Sequence, residues 1–309
     1  MNIGIDIGGT NIKGAVLDRN NKITDSFSVD TPANLTYPEF IKYIAELYGS
    51  IKDKHKISSL GIGVAGHVDY AHGRVIFSPN LQFLNNTDIC DDMEKLIKIR
   101  PIVENDVNCF VLSEYKLGAG RGTTNAVGLA IGTGIGGGII INGNLYRGTN
   151  HLAGELGHIS INSHGKRDRC GGYGCVEEYV SKRALVAAAK ENFRKDEQLF
   201  KIAHGDIDAL TPKLIVEAAG LGDMRSIEII DRAALYFATA INSINNILDP
   251  EVFIVGGGIA QAGPIFLDKV KKYFKERSFG GENYKPIKTA ELGVFAGAIG
   301  AALLTKKEK

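Results

Sequence analysis

The sequence contains no tryptophan, few cysteines and almost no net charge. Its four cysteines, spread over 309 residues, are too few and too unevenly spaced for a secreted disulfide framework, so we expect reduced thiols. Lys and Arg number 36 against 35 Asp and Glu, which gives a net charge of +1 and no basic stripe. The balance of charge therefore predicts that nucleic acid is not a partner.

Long apolar runs are also missing. The two longest, 126–141 and 293–304, are rich in glycine and shorter than the roughly 20 residues that span a membrane. The chain enters an alternating strand at Asn2 without a charged leader or an apolar signal core, so we expect a cytoplasmic protein with no membrane segment. A length of 309 residues favours two domains, which need no disulfide or metal to be stable.

Strand and helix patterns alternate along the first part of the chain, which predicts an α/β fold. Thr36 and Glu39 form a capping box before a helical apolar pattern. The residues after the strand 101–104 begin a helix at Asn105-Asp106, so these side chains lie at the carboxyl end of a strand, where ligands bind in open α/β sheets. The predicted elements are strands 2–7, 12–17, 22–29, 60–65 and 101–104 and a helix at 88–99.

A second group of strands resembles the first, which suggests an internal duplication. It consists of strands 127–131 and 134–141 joined by a glycine-rich turn, and a hairpin turn follows at Asn142-Gly143-Asn144. The remaining predicted elements are helices 176–192, 212–219, 224–248 and 295–304 and the strand 252–255.

Glycine is concentrated in three turns that each close a strand. They are Gly8-Gly9-Thr10, Gly132-Thr133-Gly134 and Gly256-Gly257-Gly258. One such turn alone is typical of a simple hairpin, but glycine inside a strand or helix costs roughly 0.5–1 kcal/mol, so three of them favour close approach of a ligand. Backbone N–H groups in such turns bind anions, and Thr10 and Thr133 add hydroxyl donors. The turns together predict a polyphosphate ligand.

Two common nucleotide motifs are absent. No turn carries the lysine of G-x-x-x-x-G-K-[ST], and no acid at a second strand end follows Gly256 by about twenty positions, as a dinucleotide ribose contact needs. Asp6 would repel phosphate by itself, so we expect it to hold Mg²⁺ directly or through water. The candidate nucleotide contacts are Asp6, Gly8, Gly9, Thr10, Asn11, Lys13, Gly132, Thr133, Gly134, Gly256, Gly257 and Gly258.

Four motifs occur in the order seen in the ROK sugar kinases, and the resemblance covers essentially the whole chain. They are Asp6-Ile7-Gly8-Gly9-Thr10, Glu104-Asn105-Asp106, residues 131–138 and Gly154-Glu155-Leu156-Gly157-His158. The resemblance implies the actin-like, ribonuclease H-like ATPase fold, with two α/β lobes and a cleft between them. It implies an N-terminal lobe of 1–120 plus 292–309, a C-terminal lobe of 121–291, ATP as phosphoryl donor and a homodimer.

The resemblance assigns Asp106 as the general base that accepts the proton of the attacking sugar hydroxyl. An alternative is that Asn105-Asp106 only caps a helix, a common role for both residue types. The family's sugar contacts match Asn105, Asp106, Glu155, His158 and Glu177, and Gly66 would pass close to the ring. Glu155 and Glu177 have the alternative of being exposed acids.

The segment from His158 to Glu177 resembles the family's structural zinc site, a histidine followed by Cys-x-Cys-Gly-x-x-Gly-Cys-x-Glu. Cys170 and Cys175 match, but Asp168 stands where the first cysteine is expected. Aspartate can bind zinc, although the loss of a soft ligand weakens the site. The predicted ligands are His158, Asp168, Cys170 and Cys175, and the alternative is a loop that folds without metal.

Glucose is the leading predicted sugar, with phosphorylation at the 6-hydroxyl. Many glucose-type members read Pro-Asn-Leu-Pro-Gly-Trp where this chain has Pro79-Asn80-Leu81-Gln82-Phe83-Leu84, so only part of that motif, including Asn80, is present. N-acetylmannosamine, N-acetylglucosamine, fructose and mannose remain alternatives. A non-catalytic sugar sensor is the alternative from another class, and a nicotinamide-dependent oxidoreductase is remote because the ribose-binding acid is missing.

Overall fold

The computed structural model describes residues 1–191, 193–194, 197–259, 263–279, 281 and 284–305. The chain divides into two compact units. Unit 1 consists of Met1–Thr124, Gly138–Gly154 and the chain from Ala290 onward, and unit 2 consists of Asn125–Gly137 and Glu155–Thr289. The lobe boundaries expected from the sequence stay a prediction, and residues 306–309 lie outside the described residues.

The elements follow in an alternating order. The strands are β1 Asn2–Ile7, β2 Asn11–Leu17, β3 Ile23–Asp30, β4 Ser59–Val64, β5 His67–Asp69, β6 Arg74–Phe77, β7 Ile102–Asn105, β8 Ala126–Ile131, β9 Ile135–Ile141, β10 Asn144–Leu145, β11 Val252–Gly256 and β12 Ile287–Thr289. The helices are α1 Tyr37–Lys52, α2 Ile89–Ile97, α3 Asp106–Leu117, α4 Glu177–Val180, α5 Lys182–Glu191, α6 Gln198–Ile202, α7 Pro212–Gly220, α8 Met224–Leu248, α9 Pro264–Arg277 and α10 Ala296–Leu304.

The first sheet has the strand order β3-β2-β1-β4-β7. β1 pairs antiparallel with β2 and parallel with β4, and β4 pairs parallel with β7. Alternate residues of β1 face opposite sides, so Ile3 and Ile5 pack with Phe40 and Ile44 of α1. The other face is covered by α10, and a Cβ on Gly4 would lie 1.9 Å from the carbonyl oxygen of Ala298. Glycine therefore allows α10 to pack directly on the strand.

The start of α1 agrees with the predicted capping box. Glu39 Oε2 accepts hydrogen bonds from the backbone N–H and the hydroxyl of Thr36, at 2.8 and 2.6 Å. The helix begins at Tyr37, directly after this cap. The first three predicted strands and the helix near 88–99 agree with the structure to within two residues at each end.

The second sheet has the strand order β10-β9-β8-β11-β12. β11 pairs parallel with both β8 and β12. The hairpin turn predicted at 142–144 is present, with φ of 51° at Asn142 and 81° at Gly143. Such positive φ values favour asparagine and glycine, which is why the sequence shows this turn clearly.

The prediction of a single helix at 176–192 is wrong. The chain forms α4 and α5, separated by Ser181, which has φ −63° and ψ 163°. The Ser181 hydroxyl accepts a hydrogen bond from the N–H of Ala184 at 3.3 Å, so this residue caps a new helix instead of continuing the old one. Residue 192 lies outside the described residues. Among the described residues, no helix is long and apolar enough to cross a membrane.

Candidate functional site

The turn between β1 and β2 exposes the first group of candidate nucleotide contacts. Gly8 N–H bonds to the carbonyl of Asn11 at 3.1 Å, and Gly9 and Thr10 are exposed. A Cβ on Gly9 would lie 3.0 Å from the Cβ of Asn80, so Asn80 lies beside this turn. Lys13 pairs with Asp6 across the β1–β2 ladder.

Two acidic residues, Asp6 near the end of β1 and Asp106 directly after β7, both lie close to Gly63 of β4. The Asp6 Oδ1 atom and the Cα of Asp106 would each lie 3.6 Å from a Cβ on Gly63 of β4. Burial, together with the negative charge of Asp106, raises the pKa of Asp6 to about 7, and Lys13 opposes this shift. Two acids that repel each other at a partly buried site favour a cation.

Asn105 and Asp106 have different structural roles. Asn105 Oδ1 accepts the N–H of Asn108 at 2.9 Å and so caps α3, while its Nδ2 donates to the carbonyl of Gly66 at 3.0 Å. The capping role expected as an alternative therefore belongs to Asn105. Asp106 is the first residue of α3, and its Oδ1 accepts the N–H of Val107.

Position 66 can hold only glycine, for two reasons. Its φ is 142°, and a Cβ there would lie 2.2 Å from the carbonyl oxygen of Phe77. The backbone at this residue therefore passes directly against Phe77, at a distance that only glycine allows.

A buried ion pair supports the Asn105-Asp106 segment. Glu104 is 2% exposed, and its Oε2 accepts from Arg147 Nε at 2.6 Å. Its Oε1 accepts from the N–H of Asn105 at 2.9 Å and from Asn108 Nδ2 at 3.0 Å. The Arg147 guanidinium lies 3.7 Å from the centre of the Tyr70 ring. The Glu104 carboxylate thus holds the residues on both sides of Asp106.

Unit 2 brings the other two glycine turns together. Gly132 N–H bonds to the carbonyl of Gly134 at 2.8 Å, and Thr133 is exposed between them. Gly257 has φ of 89°, and a Cβ there would lie 2.2 Å from the carbonyl oxygen of Ile131, the last residue of β8. Both turns therefore end neighbouring parallel strands, β8 and β11.

The four predicted zinc ligands form one cluster in unit 2. Their candidate ligand atoms all lie within 4.8 Å of one another. His158 Nδ1 lies 2.8 Å from Asp168 Oδ2, and the two sulfurs lie 3.8 Å apart. Burial would raise the pKa of Asp168, but hydrogen bonds from Cys175, His158 and Cys170 lower it to about 2. A nitrogen, a carboxylate and two thiols at these distances match a tetrahedral zinc donor set.

The comparisons with known proteins cover the chain almost from end to end. The ROK family model matches residues 2–308. The chain belongs to the ROK family. Glucokinase of Streptomyces coelicolor is 35% identical over 315 residues, covering 99% of this chain and 98% of that protein. N-acetyl-D-glucosamine kinase of Pasteurella multocida is 29% identical over 316 residues, covering 98% and 99%.

A solved structure agrees with the fold of this ROK protein. The ROK family glucokinase from Streptomyces griseus, in complex with glucose and AMPPNP, has a TM-score of 0.86 and 36% identity. The match covers 98% of both chains. The predicted actin-like ATPase fold is thereby confirmed.

Sequence reasoning missed three side chains of the ROK protein: Arg183 contacts the predicted site residue Glu177, and Arg147 and Tyr70 support the Glu104-Asn105-Asp106 motif. Arg147 binds Glu104, and Tyr70 stacks on Arg147. Arg183 Nη2 lies 3.5 Å from Glu177 Oε1 and also contacts Glu178. The only sequence signal for Arg147 was Glu104 itself, because an acid that ends a buried strand needs a partner.

The remaining predicted sugar contacts lie in the loop of unit 2. Glu155 Oε2 lies 3.8 Å from His158 Nε2, and the two residues are joined by a short 3₁₀ turn. Glu177 is the first residue of α4 and is 15% exposed at its side chain. The Glu177 side chain is therefore partly buried.

Proposed function

We propose that this ROK protein transfers the γ-phosphoryl group of ATP to the 6-hydroxyl of a hexose, with glucose as the leading substrate. The observation that carries the proposal is the arrangement of Asp106, at the start of α3, next to Asp6 and the ends of β1, β4 and β7. Its glucokinase relatives and the glucose-bound family structure support ATP-dependent sugar phosphorylation. Phosphorylation at the 6-hydroxyl and the role of Asp106 as general base are both part of this proposal.

In the proposed reaction, the sugar O6 attacks the γ-phosphorus, the bond to the bridging oxygen of ADP breaks, and the O6 proton moves to Asp106. A positioned general base contributes on the order of 10²- to 10⁴-fold. The Glu104 contacts to Asn105 and Asn108 fix the first turn of α3, which keeps the Asp106 carboxylate oriented. The exposed N–H groups of the glycine turns supply donors for phosphate oxygens.

Magnesium fits the acid pair. Burial and, after it, the negative charge of Asp106 raise the pKa of Asp6, and a divalent cation would offset the repulsion between the two acids. Asp6 would hold the ion directly or through water, and the ion would neutralise phosphate charge during transfer. The sugar contacts proposed from the family resemblance are Gly66, Asn80, Asn105, Glu155, His158 and Glu177.

Zinc fits the cluster of His158, Asp168, Cys170 and Cys175, where it would fix the loop that carries His158 and Glu177. We expect protein purified without added zinc to contain the metal, since all four donors already converge. Elemental analysis measures the ratio, and a value near zero would mean that the loop folds without metal. Cys175→Ser is the matched variant and should lower the zinc content.

An ADP-release assay with Mg·ATP tests the function. Wild-type protein is assayed against glucose, mannose, fructose, N-acetylglucosamine and N-acetylmannosamine. Asp106→Ala should keep nucleotide affinity and lose about 10²- to 10⁴-fold in turnover. Asp91→Ala is the control, because Asp91 is also an acid in the first turn of a helix but lies in an exposed ion pair with Arg100.

The outcomes separate the alternatives. A tenth or more of the wild-type rate in Asp106→Ala would remove Asp106 from the role of base. A response to N-acetylglucosamine alone would select the second candidate, an N-acetylhexosamine kinase, which the Pasteurella multocida relative and the altered motif at Gln82 favour. Sugar binding without ADP release would select the sensor.

A further inference from the structure

Glu177 contacts the second glycine turn with its carboxylate. Its Oε2 accepts the N–H of Ile135 at 2.7 Å, and Ile135 directly follows Gly134. Its other oxygen lies 3.5 Å from Arg183 Nη2. The carboxylate is therefore oriented by two partners in unit 2, one of which belongs to the turn expected to bind phosphate.

Gly134 of this turn packs so closely against the Glu177 carboxylate that no side chain fits between them. A Cβ on Gly134 would lie 2.1 Å from Glu177 Oε2. The absence of a side chain at this position allows the carboxylate to reach the backbone of the turn. Gly134 is consequently needed for the Glu177 contact.

Two neighbouring segments of unit 2 also lie against this turn. The N–H of Lys182, just beyond α4, donates to the carbonyl of Gly132 at 2.9 Å. A Cβ on Gly157, beside His158, would lie 2.0 Å from the carbonyl oxygen of Ile135. The start of α5 and the segment beside His158 thus lie against the two ends of the turn.

We propose that Glu177 is a positioning residue for the glycine turn 132–135, through which the zinc loop supports nucleotide binding. This role is separate from any sugar contact of Glu177, and it rests on the proposed function, which gives the turn its nucleotide. A carboxylate that receives the Ile135 N–H keeps the turn in one conformation. The N–H groups of the turn are then already oriented before phosphate binds, so that binding loses less conformational entropy.

The test measures binding of Mg·AMPPNP without sugar, by calorimetry, in wild-type protein and in Glu177 variants. Glu177→Ala leaves the Ile135 N–H without its acceptor, and we expect the dissociation constant to rise about tenfold. Glu177→Gln keeps an oxygen that accepts the N–H, so its affinity should stay within about threefold of wild type. Glu177→Asp retains the charge but not the reach, so it should resemble the alanine variant.

Glu217→Ala is the control, because Glu217 is an exposed acid on α7 of the same unit. Hydrogen exchange at the Ile135 amide should speed up in Glu177→Ala and Glu177→Asp but not in Glu217→Ala. If the alanine variant does not fold, the aspartate variant decides, since it differs by one methylene.

Wild-type affinity in both Glu177→Ala and Glu177→Asp would overturn the positioning role and leave the proposed function intact. Equal weakening by glutamine and alanine would also overturn it, because the effect would then follow charge rather than the hydrogen bond. Wild-type protein that binds no Mg·AMPPNP would instead overturn the proposed function itself.

Discussion

Asp223 shows how one buried carboxylate can join two helices. Its Oδ1 accepts the N–H of Ser226 at 2.8 Å and so caps α8, while its Oδ2 accepts the N–H of Leu199 in α6 at 3.1 Å. Burial opposes the charged form, but these backbone N–H groups outweigh burial and lower the pKa of Asp223. The charged carboxylate therefore stabilises the folded state.

We predict that Asp223→Ala lowers the free energy of unfolding by about 1–3 kcal/mol at pH 7, because a cap is lost and N–H groups are left without acceptors. The folded pKa lies below the unfolded value of about 3.9, so this stabilisation is complete above that pH and is lost as pH falls through the folded pKa. The difference between wild type and variant should stay constant above about pH 4 and shrink below it, measured by urea denaturation. Asp208→Ala, at an exposed acid, should change little.

Individual residues could be predicted where their chemistry is local. Asn105 and Asp106 were found because a strand ends and a helix begins there, and both facts can be read from neighbouring residues. Arg147 was not found, because its partner Glu104 lies 43 positions away and the pairing depends on the tertiary fold. The functional roles of the site residues stay predictions.

Among the elements, α10 shows how strongly glycine can determine helix packing. A Cβ on Gly300 of α10 would lie 1.7 Å from the carbonyl oxygen of Cys109 in α3. By contrast, a Cβ on Gly49 of α1 would meet nothing within 4 Å. The same residue type therefore serves close packing in one helix and has no packing role in the other.

We predict opposite effects for the same substitution at these two positions. Gly300→Ala should lower the free energy of unfolding by about 2–4 kcal/mol, because α10 must move away from α3. Gly49→Ala should raise it by about 0.5–1 kcal/mol through higher helix propensity. Chemical denaturation of both variants measures the effect, and a stabilising change at Gly300 would contradict the packing argument.

Elements with long periodic patterns could be predicted well, and short ones could not. The prediction of 224–248 matches α8 at both ends, since its 25 residues give many turns of amphipathic pattern. The three-residue strand β12 and the five-residue helix α6 were missed because they are too short to show a period. The break at Ser181 was missed because a serine hydroxyl can either face solvent or cap a helix.

For the whole molecule, the order of motifs along the chain indicated the fold, and the ROK family model indeed matches residues 2–308. The assignment of residues to compact units depends on tertiary contacts instead. Gly138–Gly154 packs in unit 1 although the residues before and after it belong to unit 2. The Arg147–Glu104 pair joins this segment to the rest of unit 1, and the sequence alone does not reveal it.

The cover of the first sheet by α10 also has a consequence during biosynthesis. Val64 ends β4, and Ala296 begins α10 after 232 further positions (296 − 64). A ribosome adds about 5–20 residues per second, so roughly 10–50 s pass between the two. Throughout that interval the nascent sheet lacks the helix that covers Gly4 and Gly61. The rate of translation therefore determines how long this apolar face stays open to chaperones and to other nascent chains.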